Sequence, residues 1–196
     1  MDQWSKLLDE GGRVDSIYLD FKKAFDTVPH RRLIQKLASY SFSEEMIGWN
    51  KEFLNGREQF VTVNGATSSS TRVTSGIPQG SVLGPILFVI YINDLPANIV
   101  TNVKMFADDT KIYKKIGSAQ DSLNLQRDLD SLEQWSNDWL LKFHPGKCAV
   151  LDVDLTKRKA EDQYEYKLEN TILNHVEYEK DLGVITDTKL NFREHI

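Results

Sequence analysis

Apolar residues at Trp4, Leu7 and Leu8 share one helical face, and the segment Trp4 to Glu10 ends at Gly11-Gly12. Val14 to Asp20 alternates and closes on an apolar stretch, which predicts a strand. His30 to Tyr40 places Leu33, Ile34 and Leu37 on one side of a helix. A second helix is expected from Ser43, as N-cap, through Met46, Ile47, Phe53 and Leu54 to Gly56. Glu58 to Val63, the turn pair Asn64-Gly65, and the alternating run to Thr74 read as a β-hairpin. A stretch rich in Gly and Pro, Ser75 to Pro85, leads into an apolar helix from Ile86 to Leu95. Two short strands, Val103 to Ala107 and Thr110 to Lys115, flank Asp108-Asp109 at a bend.

Ser118 is placed to cap a long amphipathic helix with Leu125, Leu129, Leu132 and Trp139 on its inner face. Ala149, Leu151, Val153 and Leu155 alternate in a following strand. The order of strand, helices, hairpin, helix and strand is that of a split βαβ plan, an α+β fold with an antiparallel sheet backed by helices. On this basis residues 1–155 form the main domain. Residues 156–163 form a charged linker, and residues 164–196 form a small C-terminal β appendage of short strands.

Composition changes this picture little. With 40% hydrophobic and 27% charged residues the chain has the make-up of a globular protein, which argues against disorder. A net charge of -5 runs against a broad phosphate-binding surface and suits a site built on carboxylates. The single cysteine, Cys148, rules out an internal disulfide and fits a buried thiol in a reducing compartment. The longest apolar run, Ile86 to Ile92, is too short to span a bilayer, and polar residues follow Met1 at once. An intracellular protein of nucleus or cytoplasm, with no membrane partner, is expected.

The carboxylates change it more. An isolated Asp-Asp pair is usually a structural turn, but Asp108-Asp109 is wrapped in apolar strands and so sits at the lip of a sheet. Like charges there repel unless a cation neutralises them. Asp20 ends the first strand, and the split βαβ plan brings that strand beside the hairpin. Two or three carboxylates together suit Mg²⁺, a hard ion that takes oxygen ligands and keeps waters. A pair of such ions roughly 3.5–4 Å apart activates an attacking hydroxyl and stabilises a leaving phosphate oxygen. The glycines of Ser75 to Pro85 would let a ligand approach the backbone, and Gln79 offers both a donor and an acceptor.

Three stretches in order, Tyr18-Leu19-Asp20-Phe21-Lys22-Lys23-Ala24-Phe25-Asp26, Ser75-Gly76-Ile77-Pro78-Gln79-Gly80 and Phe106-Ala107-Asp108-Asp109, resemble successive palm motifs of reverse transcriptases. The wording is most similar to retrotransposons without long terminal repeats, the jockey-like and chicken-repeat-like lines. The likeness continues through Trp135 to Leu151 and into Lys180-Asp181-Leu182-Gly183-Val184, so it covers nearly the whole chain. It implies RNA-directed DNA polymerase activity, with an RNA template, a DNA primer and a deoxynucleotide as partners.

Residue by residue, the resemblance makes Asp20, Asp108 and Asp109 catalytic ligands of two Mg²⁺ ions, with Mn²⁺ as an alternative. Phe25 matches an aromatic steric gate against the 2′-hydroxyl, although periodicity alone is equally satisfied by core packing beside Ala24. Gln79 and Gly80 match positions that contact the incoming nucleotide and template pair. Lys147 matches a lysine that approaches the triphosphate, against the plain reading of a solvated residue after a Pro-Gly turn. Asp26 is expected to be structural, and Leu182 to Thr186 resembles the primer-gripping hairpin.

The family places a fingers region before the first motif, a thumb after the last, and an endonuclease domain elsewhere. From this sequence those parts are expected to be missing, and weak or no processive synthesis is expected of the chain by itself. Two other readings stand beside the polymerase: an inactive retroelement remnant or non-catalytic nucleic-acid-binding module, and a generic RNA-binding module on the same plan. The last is disfavoured, because such modules read RNA with exposed aromatics on central strands, where this hairpin carries carboxylates.

Overall fold

The computed structural model describes residues 2–9, 12–154 and 163–191. The first half runs α1 (Asp2–Asp9), β1 (Arg13–Leu19), α2 (Ala24–Thr27), α3 (His30–Ser39), α4 (Glu44–Leu54), β2 (Glu58–Gln59), β3 (Thr62–Val63), β4 (Ala66–Thr67), β5 (Thr71–Arg72) and α5 (Leu83–Ile92). The second runs β6 (Asn102–Phe106), β7 (Asp109–Ile116), α6 (Ala119–Trp139), β8 (Ala149–Asp154), β9 (Lys167–Leu168), β10 (Thr171–Ile172), β11 (Asn174–Val176), β12 (Tyr178–Asp181) and β13 (Val184–Asp187). Single 3₁₀ turns lie at Leu95–Asn98 and Pro145–Lys147. By packing, the chain divides into two units. One comprises Met1–Phe21, Leu95–Asp138 and Lys142–Ile196; the other comprises Lys22–Asp94 and Trp139–Leu141.

The first unit is built on a five-stranded sheet of order β11-β8-β1-β7-β6, in which β11 runs parallel to β8 and the other pairs are antiparallel. Because side chains alternate across a strand, Val14, Tyr113, Leu151 and Val153 share one face. There they bury Trp4 and Leu8 of α1. Trp4 meets Tyr113 edge-on, with ring centroids 5.5 Å apart. The opposite face carries Ile17, Leu19, Ile112 and Val150, also buried. With both faces covered, β1 and β8 are buried almost throughout rather than alternating in and out.

Helix α6 belongs to this unit except for its last residue. It buries Leu125, Leu129 and Leu132 completely, each worth roughly 1.5–3 kcal/mol of transfer free energy. Its start differs from the sequence expectation: the Ser118 hydroxyl donates to Asp121 at 2.9 Å rather than accepting a backbone N–H. The Asp121 carboxylate takes the N–H groups of Gly117 and Ser118, and these bonds hold it below the usual carboxylate range. Asp128 similarly accepts from the N–H groups of Val100 and Thr101, fixing the approach to β6.

The second unit is mostly helical. Ser43 caps α4 as its sequence implies, its Oγ accepting the Met46 N–H at 3.3 Å. Helix α3 buries Leu33 and Leu37, together with Lys36. The Lys36 ammonium pairs with Asp94 and lies 3.8 Å from the centroid of the Trp139 ring. Burial lowers its pKa, opposed by its bond to Asp94. Helix α5 starts at Leu83, three residues before the apolar run suggests, and buries Leu87, Phe88, Tyr91 and Ile92. The hairpin forms around Asn64 and Gly65, both at positive φ (49 and 82), as a tight two-residue turn requires. Its ladder is interrupted between β2–β5 and β3–β4, where the Ser68 hydroxyl accepts the Val61 N–H at 3.0 Å.

Most other boundaries fall within one or two residues of the expected ones, and α2 was not anticipated. The C-terminal stretch does more than form an appendage, since β11 joins the main sheet beside β8. Leu155 and the charged linker up to residue 162 lie outside the described residues, as does Glu10. Among the described residues, no helix is long and apolar enough to cross a membrane.

Candidate active site

The site is assembled by register. Strands β1 and β7 pair up to Leu19 opposite Thr110, so Asp20 and Asp109 stand together one step beyond that pair. Strands β6 and β7 close with Phe106 opposite Asp109, leaving Ala107 and Asp108 as the turn. Asp109 is therefore the first residue of a strand rather than half of the bend. Ala107 takes a φ of 52, an uncommon conformation for a residue with a Cβ. Such an outlier costs on the order of 1–3 kcal/mol and persists where surrounding structure enforces it.

Asp20 is held by its backbone. Its N–H points to the Cys148 sulfur at 3.5 Å, and its carbonyl accepts the His144 N–H at 2.8 Å. Phe21 then bridges to Phe143, and their rings stack with centroids 4.5 Å apart. Cys148 is the buried free thiol that its sequence context suggested, and burial pushes its pKa up to about 11. It is a packing and hydrogen-bonding group here, not a nucleophile.

Asp20 and Asp109 line one cavity of about 430 Å³ with Lys104, Lys111, Lys147 and Asp181. Asp108 sits half-buried on the turn and is not part of that lining. The Lys147 ammonium lies 3.9 Å from Asp20 Oδ1, with both side chains substantially exposed. Lys111 pairs with Asp181 at the turn end of the β12–β13 hairpin, just before Leu182-Gly183. Asp109 has its pKa raised, first by burial and then by the charges of Asp108, Asp181 and Asp20. The carboxylates thus repel one another at this end of the sheet, and a cation would relieve that repulsion.

Among the described residues, no three His, Cys, Asp or Glu side chains are close enough to hold a metal ion by themselves. The donor chemistry nonetheless fits a hard divalent ion. Mg²⁺ is ordinarily held by one or two carboxylates, with waters and substrate phosphates completing the octahedron. Asp20 and Asp109 can supply those carboxylates, with Asp108 next in the chain.

A family model described as reverse transcriptase (RNA-dependent DNA polymerase) matches residues 9–174. The chain belongs to the reverse transcriptase family. It is 36% identical over 192 residues to the RNA-directed DNA polymerase from mobile element jockey of Drosophila funebris, covering 92% of this chain and 20% of that protein. It is 34% identical over 188 residues to the Drosophila melanogaster counterpart, covering 91% and 20%. The chain thus spans about a fifth of the length of these relatives. Among solved structures it is similar in fold to apo telomerase from Candida tropicalis truncated from its C-terminal domain. That match has a TM-score of 0.64 at 12% identity, covering 96% of this chain and 37% of that one.

The remaining candidate residues of this reverse transcriptase chain lie in the second unit. The Phe25 ring stacks on Phe88, centroids 4.4 Å apart, and the Phe25 carbonyl accepts the Ile77 N–H at 2.7 Å. Gln79 is exposed and donates to Asp26 Oδ1 at 3.0 Å, while Gly80 has a φ of 78 and open space around it. Asp26 emerges as the anchor of the glycine-rich loop. Its carbonyl accepts the Ser75 hydroxyl, and a Cβ on Gly76 would lie 2.7 Å from that same oxygen.

Sequence reasoning did not single out Lys111 or Asp181, although Asp181 lies within a stretch that resembles the family. A period of two from Asp109 puts Lys111 on the same face of β7, and that signal was available. The link to Asp181 is long-range and was not.

Proposed function

We propose that this chain is the palm portion of an RNA-directed DNA polymerase, which joins a deoxynucleotide to the 3′-hydroxyl of a primer on an RNA template. The observation that carries the reading is the placing of Asp20 and Asp109 at the ends of neighbouring strands, in one cavity with Lys147. Asp20, Asp108 and Asp109 are the residues assigned to hold two Mg²⁺ ions. Bound there, the ions would activate the primer hydroxyl and stabilise charge on the departing pyrophosphate. Phosphoryl transfer needs little else beyond positioning.

Lys147, mostly exposed and 3.9 Å from Asp20 Oδ1, is assigned to the triphosphate, whose negative charge its ammonium would offset. Phe25, Gln79 and Gly80 are assigned to the nucleotide and its template base, with Phe25 excluding a 2′-hydroxyl. An intracellular setting, in nucleus or cytoplasm, accompanies this reading.

Titration of the chain with Mn²⁺, followed by electron paramagnetic resonance, tests the metal assignment. Binding should weaken at least tenfold in Asp20→Asn and in Asp109→Asn. Primer extension on an RNA template with Mg²⁺ tests the reaction. Metal binding that is equal in wild type and both variants would overturn the assignment.

A further inference from the structure

Asp20 and Asp109 reach the end of the sheet by different means. Asp109 is held inside the β6–β7 ladder, opposite Phe106. On the other side, the β1–β8 ladder stops at Tyr18 opposite Ala149 and returns as a single bridge at Phe21 opposite Phe143. Between those pairs one strand supplies two residues, Leu19 and Asp20, and the other supplies five, residues 144–148. The arrangement is an enlarged bulge, a device that interrupts pairing and re-aims a side chain.

The bulge takes Asp20 out of the ladder without leaving its backbone free. The Asp20 carbonyl accepts the His144 N–H at 2.8 Å. In place of a backbone carbonyl, the Cys148 sulfur faces the Asp20 N–H at 3.5 Å. The same thiol lies 3.9 Å from the Asp20 carbonyl oxygen, so one side chain meets both polar groups of that residue. Sulfur is a weak partner. A part-buried N–H with no partner at all, however, would bear the cost of its lost hydration.

The thiol is itself fixed. Pro145 opens the 3₁₀ turn Pro145–Lys147 with its φ already set. The N–H groups of Lys147 and Cys148 both return to the His144 carbonyl, at 2.8 and 3.2 Å. Phe143 is stacked on Phe21, which in turn meets Trp135 of α6 with ring centroids 6.5 Å apart. Cys148 is only 3% exposed, so water does not compete for its sulfur.

We infer that Cys148 is a positioning residue for Asp20: its thiol takes the Asp20 N–H, fixes that stretch of backbone, and so sets the direction of the Asp20 carboxylate in the cavity. Side-chain rotamers depend on φ and ψ, which is how a bond to the backbone constrains the carboxylate. The consequence for a bound cation rests on the metal reading of Asp20, whereas the orientation itself does not. A thiol that merely filled space would be replaced equally well by Thr or by Val. Those two share a branched shape and differ in whether an oxygen can accept the N–H.

NMR of the full chain without metal reads the orientation, through amide exchange and three-bond couplings to the Asp20 Cγ. The Asp20 N–H should exchange about two- to tenfold faster in Cys148→Val than in wild type, the range one neutral hydrogen bond supports. Asp20 should hold one χ1 rotamer in wild type and several in Cys148→Val, and Cys148→Thr should restore both properties. Mn²⁺ titration followed by electron paramagnetic resonance reads the consequence. Cys148→Val should bind about two- to tenfold more weakly than Cys148→Thr, which should stay close to wild type. Val150→Ala opens a cavity in the same strand on the opposite face of the sheet. It should lower the thermal midpoint and leave both readouts unchanged.

Equal exchange, couplings and metal affinity in the Val and Thr variants would reduce Cys148 to packing and overturn the inference. So would exchange that differs while rotamer and metal affinity do not. Should neither variant fold, the wild type decides: a protected Asp20 amide supports the thiol as acceptor, and one that exchanges like an unstructured peptide sinks it. Asp20→Asn that binds Mn²⁺ as tightly as wild type is instead a failure of the metal assignment, and the metal-free exchange and couplings then judge Cys148 by themselves.

Discussion

The ammonium of Lys111 on β7 is paired with the carboxylate of Asp181 at the end of β12, tying the β12–β13 hairpin to the strand that begins with Asp109. Lys111 also lies 5.3 Å from the Trp4 ring centroid and 5.6 Å from that of Tyr18, so its stem and charge are held from several sides. Both partners are about one-fifth exposed, which leaves the pair partly screened by solvent. A double-mutant cycle in urea with Lys111→Met and Asp181→Asn should give a coupling free energy of about 1 kcal/mol, shrinking as salt is added. Strictly additive single effects would show that the pair does not fasten the hairpin.

The same pair bears on the carboxylates. Asp181 is one of the charges that raise the Asp109 pKa, after burial and Asp108 and ahead of Asp20. Asp181→Asn should therefore bring the Asp109 titration, followed by carboxyl-carbon NMR, down toward the ordinary aspartate value. Because the folded pKa is raised, ionising Asp109 costs stability as pH rises through it. A divalent cation bound beside it should reverse the sign and carry the titration lower still. An Asp109 titration indifferent to both the variant and Mg²⁺ would separate this carboxylate from its assigned role.

Much of this arrangement was legible in the sequence because its determinants are local. Strand periodicity located β1 and β7, and Asn64-Gly65 announced its own turn. The apolar strands around Asp108-Asp109 set that pair apart from a solvated turn. The misplacements have physical causes as well. A two-residue turn needs only Ala107 and Asp108, so Asp109 falls into the ladder. Covering the sheet on both faces erased the alternation expected of β8. The clamp of Asp20 by Cys148 and His144, and the pairing of Lys111 with Asp181, join residues far apart in the chain, which single-sequence patterns do not report.

Gly76 offers a test of how firmly the glycine-rich loop is docked. Its φ of 90 suits glycine, and a Cβ would sit 2.7 Å from the Asp26 carbonyl oxygen and 2.9 Å from the Asp26 Cα. The loop backbone is further fixed by Gly76 N–H to Val28 C=O at 2.8 Å and by His30 to the Gly76 carbonyl at 2.7 Å. Gly76→Ala must break one of these contacts, and a loss of about 1–3 kcal/mol is expected by chemical denaturation. Gly80→Ala meets no neighbour and should suffer only the milder strain of its φ of 78. Equal losses in the two variants would count against a loop anchored at Asp26.

Away from the cavity, Asp15 lies fully buried in β1, directly opposite Asp152 of β8. Arg13 pairs with it at 2.8 Å, and the Tyr166 hydroxyl donates to it at 2.7 Å. Burial and then the Asp152 charge nevertheless push its pKa from 3.8 to about 6. The folded state therefore holds a proton between about pH 4 and 6 that the unfolded chain releases. Stability from this group is complete at the acid end of that window and is lost as pH rises through it. His175, bonded to Asp152 at 2.6 Å, has a raised pKa and acts with the same sign, but only above its ordinary value of 6.5. Denaturant melts of wild type and Asp15→Asn from pH 4 to 7 separate the two. The wild type should lose on the order of 2 kcal/mol relative to the variant between pH 4 and 6, with little further divergence above. Parallel curves across that window would mean that Asp15 remains ionised in the folded protein, with Arg13 outweighing its burial.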